Sequence, residues 1–199
     1  MSLEDRLYPL LGLYERLPHR LKCAAGFGYR LLPRAWRWGA RYAEFRQITE
    51  EGEHWPVEQI QEYQFKQLRQ VLIQAGNYCP LYQNRFAQAR FRPELMKGPE
   101  DLRECPVLTK EDLQTHLAEM VSTALPPKAR LYLTTGGSTG VPVGFYLHRG
   151  VSRPKEQAFL EAMWRRAGYS DGARLVVIRG HVTSDQAAGR IASYDATRD

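Results

Sequence analysis

Nine consecutive residues of this chain, Thr134-Thr-Gly-Gly-Ser-Thr-Gly-Val-Pro142, carry three glycines and four hydroxyl side chains. The hydroxyls belong to Thr134, Thr135, Ser138 and Thr139. Glycine has no Cβ, so its backbone can approach a ligand closely and turn successive N–H groups toward one centre. Hydroxyl groups add donors that rotate to suit an acceptor. Together these groups suit an anion with many oxygens, a polyphosphate above all. The alternative for such a run is a hairpin loop of small residues that binds nothing.

Two familiar phosphate loops do not fit. A Walker loop needs Lys and then Ser or Thr after its last glycine; here Val141 follows Gly140, and the loop holds no lysine. The dinucleotide fingerprint G-x-G-x-x-G leads into a helix, whereas Pro142 and the alternation from Val143 to Leu147 predict a strand. A loop between two strands must work through its own amides, with no helix dipole behind it. Other chemistry-bearing residues are sparse. Ser138 is not set in G-x-S-x-G, which argues against a nucleophilic serine. No two histidines stand at metal-ligand spacing, so no protein-held metal is expected. Cys23, Cys79 and Cys105 are odd in number and lack C-x-x-C spacing. Neither a disulfide framework nor a zinc site is expected of them, and a cytoplasmic location is.

The elements that must position the loop are legible around it. Arg130–Thr134 alternates as a strand and Pro142–Leu147 reads as a second. Upstream, Val57, Ile60, Leu68, Val71, Leu72 and Ala75 recur at helical spacing, with Gly76-Asn77 as the helix end. A proline-bearing turn at Tyr78–Tyr82, a short helix over Gln83–Ala89 and a loop marked by Pro93, Gly98 and Pro99 follow. Thr109-Lys-Glu-Asp112 reads as a helix start. Its threonine accepts from a free N–H and its acids sit near the positive end of the dipole. That helix should run to about Met120. Pro126-Pro127 makes a stiff boundary, helical before and mixed α/β after. Beyond the second strand a helix over Arg153–Ala167 shows Phe159, Leu160, Met163, Trp164 and Ala167 on one face, closed by Gly168 and the Ser170-Asp-Gly172 turn. Tyr146 and Trp164 read as core. Ala173–Ile178 is a buried-type strand, His181 lies just past it, and Val182–Asp199 is polar with weak periodicity.

The 199 residues include 28 Lys+Arg and 22 Asp+Glu, a net charge of +6, with 43% hydrophobic and 25% charged residues. This excludes a disordered tail, a collagenous fibre and a membrane bundle. Glu4 and Asp5 stand where a secretory leader would be basic, and the apolar run Leu7–Tyr14 is too short to span a bilayer. Residues 1–50 hold nine Arg and Lys against five acids, hence +4 of the total. Arginines alternate with aromatic residues from Phe27 to Tyr42. Such an arm can pack its rings on the protein and solvate its arginines, or lie on an anionic membrane surface. No nucleic-acid motif accompanies it. The expected organisation is a basic aromatic helical arm over 1–55, a helical subregion over 56–127 and an α/β part over 128–199.

The ordered run Gly137-Ser-Thr-Gly-Val-Pro142 resembles the signature loop of the adenylate-forming enzymes. The phenylacetate–CoA ligase branch, with the CapK-like proteins of capsular polysaccharide biosynthesis, is the most similar: it often reads T-G-G-S-T-G. Cys105-Pro-Val-Leu-Thr-Lys-Glu-Asp112 resembles that branch's P-V-L-T-K-E-D segment, and Tyr78-Cys-Pro-Leu-Tyr82 its P-x-Y element. The similarity covers roughly residues 55–181. It implies an α/β fold: a helical N-terminal region, then the beginning of an adenylate-forming mixed α/β domain. It also implies ATP-dependent activation of a carboxylate as an acyl-adenylate, followed by transfer to CoA or another acceptor. Carried across, Thr135, Gly136, Gly137, Ser138, Thr139 and Gly140 hold the β- and γ-phosphates of ATP, with Mg2+ offsetting their charge. His181 falls near the family's acyl pocket. Val141 and Val143 stand where family members usually have a lysine. The family's magnesium-holding acid, ribose-binding Asp and C-terminal lysine have no counterpart here, so the expectation is an incomplete N-terminal portion, inactive alone. The competing expectation is a non-catalytic accessory module of capsule or exopolysaccharide synthesis, touching the inner membrane face through its arm.

Overall fold

The computed structural model describes residues 3–135, 142–170 and 173. In chain order the helices are α1 (Leu3–Leu7), α2 (Leu11–Glu15), α3 (His19–Arg30), α4 (Arg34–Trp38), α5 (Ala40–Gly52), α6 (Val57–Tyr78) and α7 (Pro80–Ala89). Then come α8 (Lys110–Thr115), α9 (Leu117–Met120), strands β1 (Arg130–Thr134) and β2 (Gly144–His148), and α10 (Ser152–Arg166). Helix thus predominates, with a small two-stranded antiparallel sheet after the Pro126-Pro127 boundary. The chain divides into two compact units, one of residues 51–149 and one that joins residues up to Glu50 with those from Gly150.

In the first of these, α6 does not stop at Gly76-Asn77; it runs on to Tyr78. A Cβ on Gly76 would lie 3.1 Å from the Phe86 ring of α7. The glycine therefore permits a close helix–helix approach rather than capping. The actual stop is set by Pro80, which drives Cys79 into an extended conformation (φ −115°, ψ 110°). Pro80 then occupies the first position of α7, where its missing N–H costs nothing. The expected turn over Tyr78–Tyr82 is thus a one-residue corner between two helices. At the far end of α7, Arg90 takes the left-handed conformation (φ 53°) usual for a helix-terminating glycine.

Leu72, Phe86, Phe91 and Met96 are buried together, with Phe65, Leu68, Tyr82, Leu102 and Cys105 packed around them. Phe86 meets Tyr82 and Phe91 edge-on, ring centres 5.6 and 5.1 Å away. Arg69 of α6 donates to the carbonyls of Pro93 and Glu94, tying the next segment to this core.

Thr109 starts α8 as the sequence predicts. Its hydroxyl accepts from the Asp112 N–H (3.2 Å), while the Asp112 carboxylate accepts from the Thr109 N–H (2.8 Å). The single helix expected to reach Met120 is instead two, α8 and α9, with His116 outside helical geometry between them. Thr115 donates its hydroxyl back to the Glu111 carbonyl (2.8 Å), a bond that competes with regular helix and bends it.

β1 and β2 pair in register from Arg130↔His148 to Thr134↔Gly144. Leu131 is buried, and Tyr132 and Tyr146 lie opposite each other on the other face, ring centres 5.3 Å apart. Tyr146 is therefore not core; it is 43% exposed, and its burial comes from its cross-strand partner.

In the second unit, α1 packs on α4, and Tyr42 and Thr49 of α5 are buried, as are Pro154, Ala158, Glu161 and Ala162 of α10. The expected buried face of α10 is corrected: Phe159 and Met163 are exposed, and the inward face is small residues around an acid. Glu161, 3% exposed, accepts from the Tyr42 hydroxyl and from Gln157 Nε2 (2.8 Å), and Arg34 lies 3.5 Å away. Burial first, then the Glu161 hydrogen bond, pushes the Tyr42 hydroxyl up to about 12. Trp164 is half-buried against Tyr169 rather than central. Gly168, with φ 91°, ends the run. The predicted strand over 173–178, His181 and the Val182–Asp199 segment lie outside the described residues, Ala173 apart. Among the described residues no helix is long and apolar enough to cross a membrane.

Candidate functional site

The glycine- and hydroxyl-rich run joins β1 to β2, so its two ends are held by an antiparallel ladder. The last pair, Thr134↔Gly144, is followed by a further closure. The Thr135 N–H donates to the Val143 carbonyl (2.9 Å), and the Val143 N–H donates to Thr135 Oγ1 (3.0 Å). Thr135 is exposed. Its amide is therefore spent on the hairpin, and what it can offer a ligand is the hydroxyl hydrogen. Gly136, Gly137, Ser138, Thr139 and Gly140, the other residues predicted to hold phosphate, lie outside the described residues, as does Val141.

Gly144 has a local reason. A Cβ there would sit within 3 Å of Tyr132 ring atoms. The absence of a side chain lets the tyrosine lie across the ladder at the base of the loop. The other end of β1 is fixed by Arg130, whose guanidinium donates to the carbonyls of Leu125 (2.9 Å) and Ser122 (3.0 Å). Arg149 in turn donates through Nε to the Arg130 carbonyl (3.0 Å). Arg130 therefore clamps the hairpin to the chain before it, and Arg149 ties the end of β2 to the start of β1.

A cleft of about 470 Å³ lies along β2 and reaches Thr135 and Val143. Its wall is mostly apolar: Leu113, Leu117 and Met120 from α8 and α9, Leu125, and Phe145 and Leu147 from β2. The bent α8–α9 pair is held in place by the buttress of Arg85 on Asp112. The Arg85 guanidinium bonds the Asp112 carboxylate and also donates to the Val107 carbonyl (3.1 Å). The Thr109 N–H first, then Arg85, holds the Asp112 carboxyl at about 2, well below its ordinary 3.8. The sequence reading reached the Thr109 cap but missed this pairing and the cleft. The signal for the cleft wall was present in the spacing of Leu113, Leu117 and Met120, at i, i+4 and i+7.

His148 is the last residue of β2, one beyond the strand end expected at Leu147. Burial pushes the Cys79 and Cys105 thiols above their ordinary range, against any nucleophilic role. Among the described residues no group of three or more His, Cys, Asp or Glu side chains is placed to hold a metal ion. No family model, curated protein or solved structure matches the chain.

Proposed function

We propose that this chain supplies the phosphate-holding part of an ATP-dependent, carboxylate-activating ligase of the adenylate-forming type, in the manner of the phenylacetate–CoA ligase branch. The observation that supports it is the closure of the β1–β2 ladder by Thr135 and Val143 immediately outside the run Gly136–Val141. A strand-to-strand phosphate loop needs its ends pinned so that its amides need not be ordered when the ligand arrives.

ATP, when bound, supplies an α-phosphorus for carboxylate attack and pyrophosphate as leaving group. The chain's own part is to hold and orient. Ser138 and Thr139 donate hydroxyl hydrogen bonds to the terminal phosphates, and Gly136, Gly137 and Gly140 let backbone N–H groups come close. Thr135 adds a hydroxyl at the rim. Positioning and electrostatic complementarity, rather than a covalent step on the protein, are what such a loop contributes. The described residues do not fit a resident metal. Magnesium would arrive with the phosphates it neutralises, and no step is assigned to it.

The test is binding, measured by titration calorimetry with ATP, pyrophosphate and AMP in magnesium buffer. ATP and pyrophosphate should bind, and AMP, which lacks the β- and γ-phosphates, should bind far more weakly. Thr139→Ala removes one hydrogen bond to a charged group, about 1.5 kcal/mol or roughly tenfold in ATP affinity. Equal affinity for AMP and ATP, with Thr139→Ala indistinguishable from wild type, would remove the basis of this reading.

A further inference from the structure

We infer that α3 is a membrane-surface helix that lays an apolar stripe into an anionic lipid interface. On α3 and the residue that caps it, the exposed positions Leu21, Ala24, Ala25, Gly28 and Leu31 recur at i, i+3, i+4, i+7 and i+10. That spacing gathers them on one face. The helix turns this face outward, and the residue it buries is Gly26, with Lys22, Cys23 and Tyr29 partly covered beside it. Such polarity is the reverse of a helix that serves a protein core. Leu21 is 54% exposed and Leu31 71%. Phe27 and Trp36 are also exposed, and an aromatic ring is the side chain that settles at the headgroup level of a bilayer.

Charge selects the occupant. From Arg16 to Ala43 the chain holds seven Arg and Lys and no Asp or Glu. Arg16, Arg20 and Arg30 are exposed beside the stripe. An apolar stripe flanked by charge of one sign is the pattern of helices that lie in the plane of an anionic bilayer. A second copy of this chain would bring the same positive charge against itself, and a neutral lipid would offer the exposed Arg16 and Arg20 no counter-charge. The inference is independent of the ATP reading, since it concerns a different unit of the chain.

The experiment is co-sedimentation of the whole chain with vesicles of phosphatidylcholine alone and of phosphatidylcholine mixed with phosphatidylglycerol, at low and at high salt. Binding is expected to the mixed vesicles only and to fall steeply with salt. Leu21→Asp, at an exposed position, should cut that binding about tenfold with an unchanged far-UV circular dichroism spectrum. Arg16→Glu with Arg20→Glu should cut it at least as far. Failure to pellet with the mixed vesicles at low salt overturns the inference, as does equal binding by Leu21→Asp. Light scattering completes the test: a wild-type dimer that Leu21→Asp makes monomeric, with vesicle binding unaltered, assigns the stripe to self-association instead.

Discussion

Asp112 shows how one side chain can serve two elements. Its carboxylate accepts from the Thr109 N–H to cap α8, and it receives the Arg85 guanidinium from α7. Both interactions favour the ionised form, so the folded pKa is depressed, from 3.8 to about 2. The stabilisation is therefore complete above the unfolded value and is lost as pH falls from about 4 toward 2. Asp112→Asn should lower the urea midpoint at pH 7, and the gap from wild type should close across that acidic window. A gap that stays constant down to pH 2 would mean that the charge contributes nothing. Thr109 and Asp112 are three residues apart, and their cap is readable in the chain. Arg85 is not, because nothing local distinguishes an arginine that crosses to another helix from one that points to water. The same holds for Glu161, which nothing in its local sequence marks and which is buried against Tyr42 with Arg34 3.5 Å away. Buried charge depends on partners far along the sequence, and periodicity is blind to it.

At the scale of elements, glycine carried the ambiguity. Gly76 reads as a stop signal, but in α6 it is the point at which the Phe86 ring comes within van der Waals range of the helix backbone. The ring is wedged between Tyr82 and Phe91 and has little room to give. Alanine gains up to about 1 kcal/mol in helix propensity. Overpacking a fixed ring costs about 1–3 kcal/mol. Gly76→Ala is therefore expected to be destabilising by about 1 kcal/mol net, read from the denaturant midpoint. A stabilised variant would mean that the Phe86 ring gives way and that helix propensity decides the outcome. The strands, by contrast, were legible to within two residues, because Arg130–Thr134 and Gly144–His148 alternate and a proline precedes the second. α10 was legible in extent and misread in orientation. Large apolar side chains at Phe159 and Met163 suggested the inner face, but the residues buried are Pro154, Ala158, Glu161 and Ala162. Helix existence follows from local pattern; which face turns inward is decided by what the helix meets.

For the molecule as a whole, the two units differ in how they are assembled. Residues 51–149 contain their whole core, from Phe65 to Cys105, together with the hairpin and the cleft. The other unit takes Tyr42 from before that stretch and Glu161 from after it. The isolated segment 51–149 should accordingly fold by itself, giving a helical spectrum and a cooperative thermal transition. A flat, non-cooperative melt would show that its core needs the flanking residues. Contiguity of this kind is invisible to composition; the Pro126-Pro127 pair marks only the passage from helices to the hairpin within this unit. The loop is read from residue type alone, since glycine and hydroxyl chemistry is written there, and Gly136 to Val141 lie outside the described residues. Its supports, the Arg130 and Arg149 clamps and the α8–α9 wall, depend on contacts that only a folded chain brings together.

The cysteines give the experimenter something unsought. Cys79 and Cys105 sit in the 51–149 unit with their thiolates disfavoured by burial, and the remaining thiol, Cys23, is on α3 one turn from His19. A maleimide dye used sparingly at mild pH would accordingly reach α3 ahead of the other two positions. The natural chain thus comes equipped with a reporter handle on its basic helix, and no cysteine has to be engineered in or out to follow that helix optically.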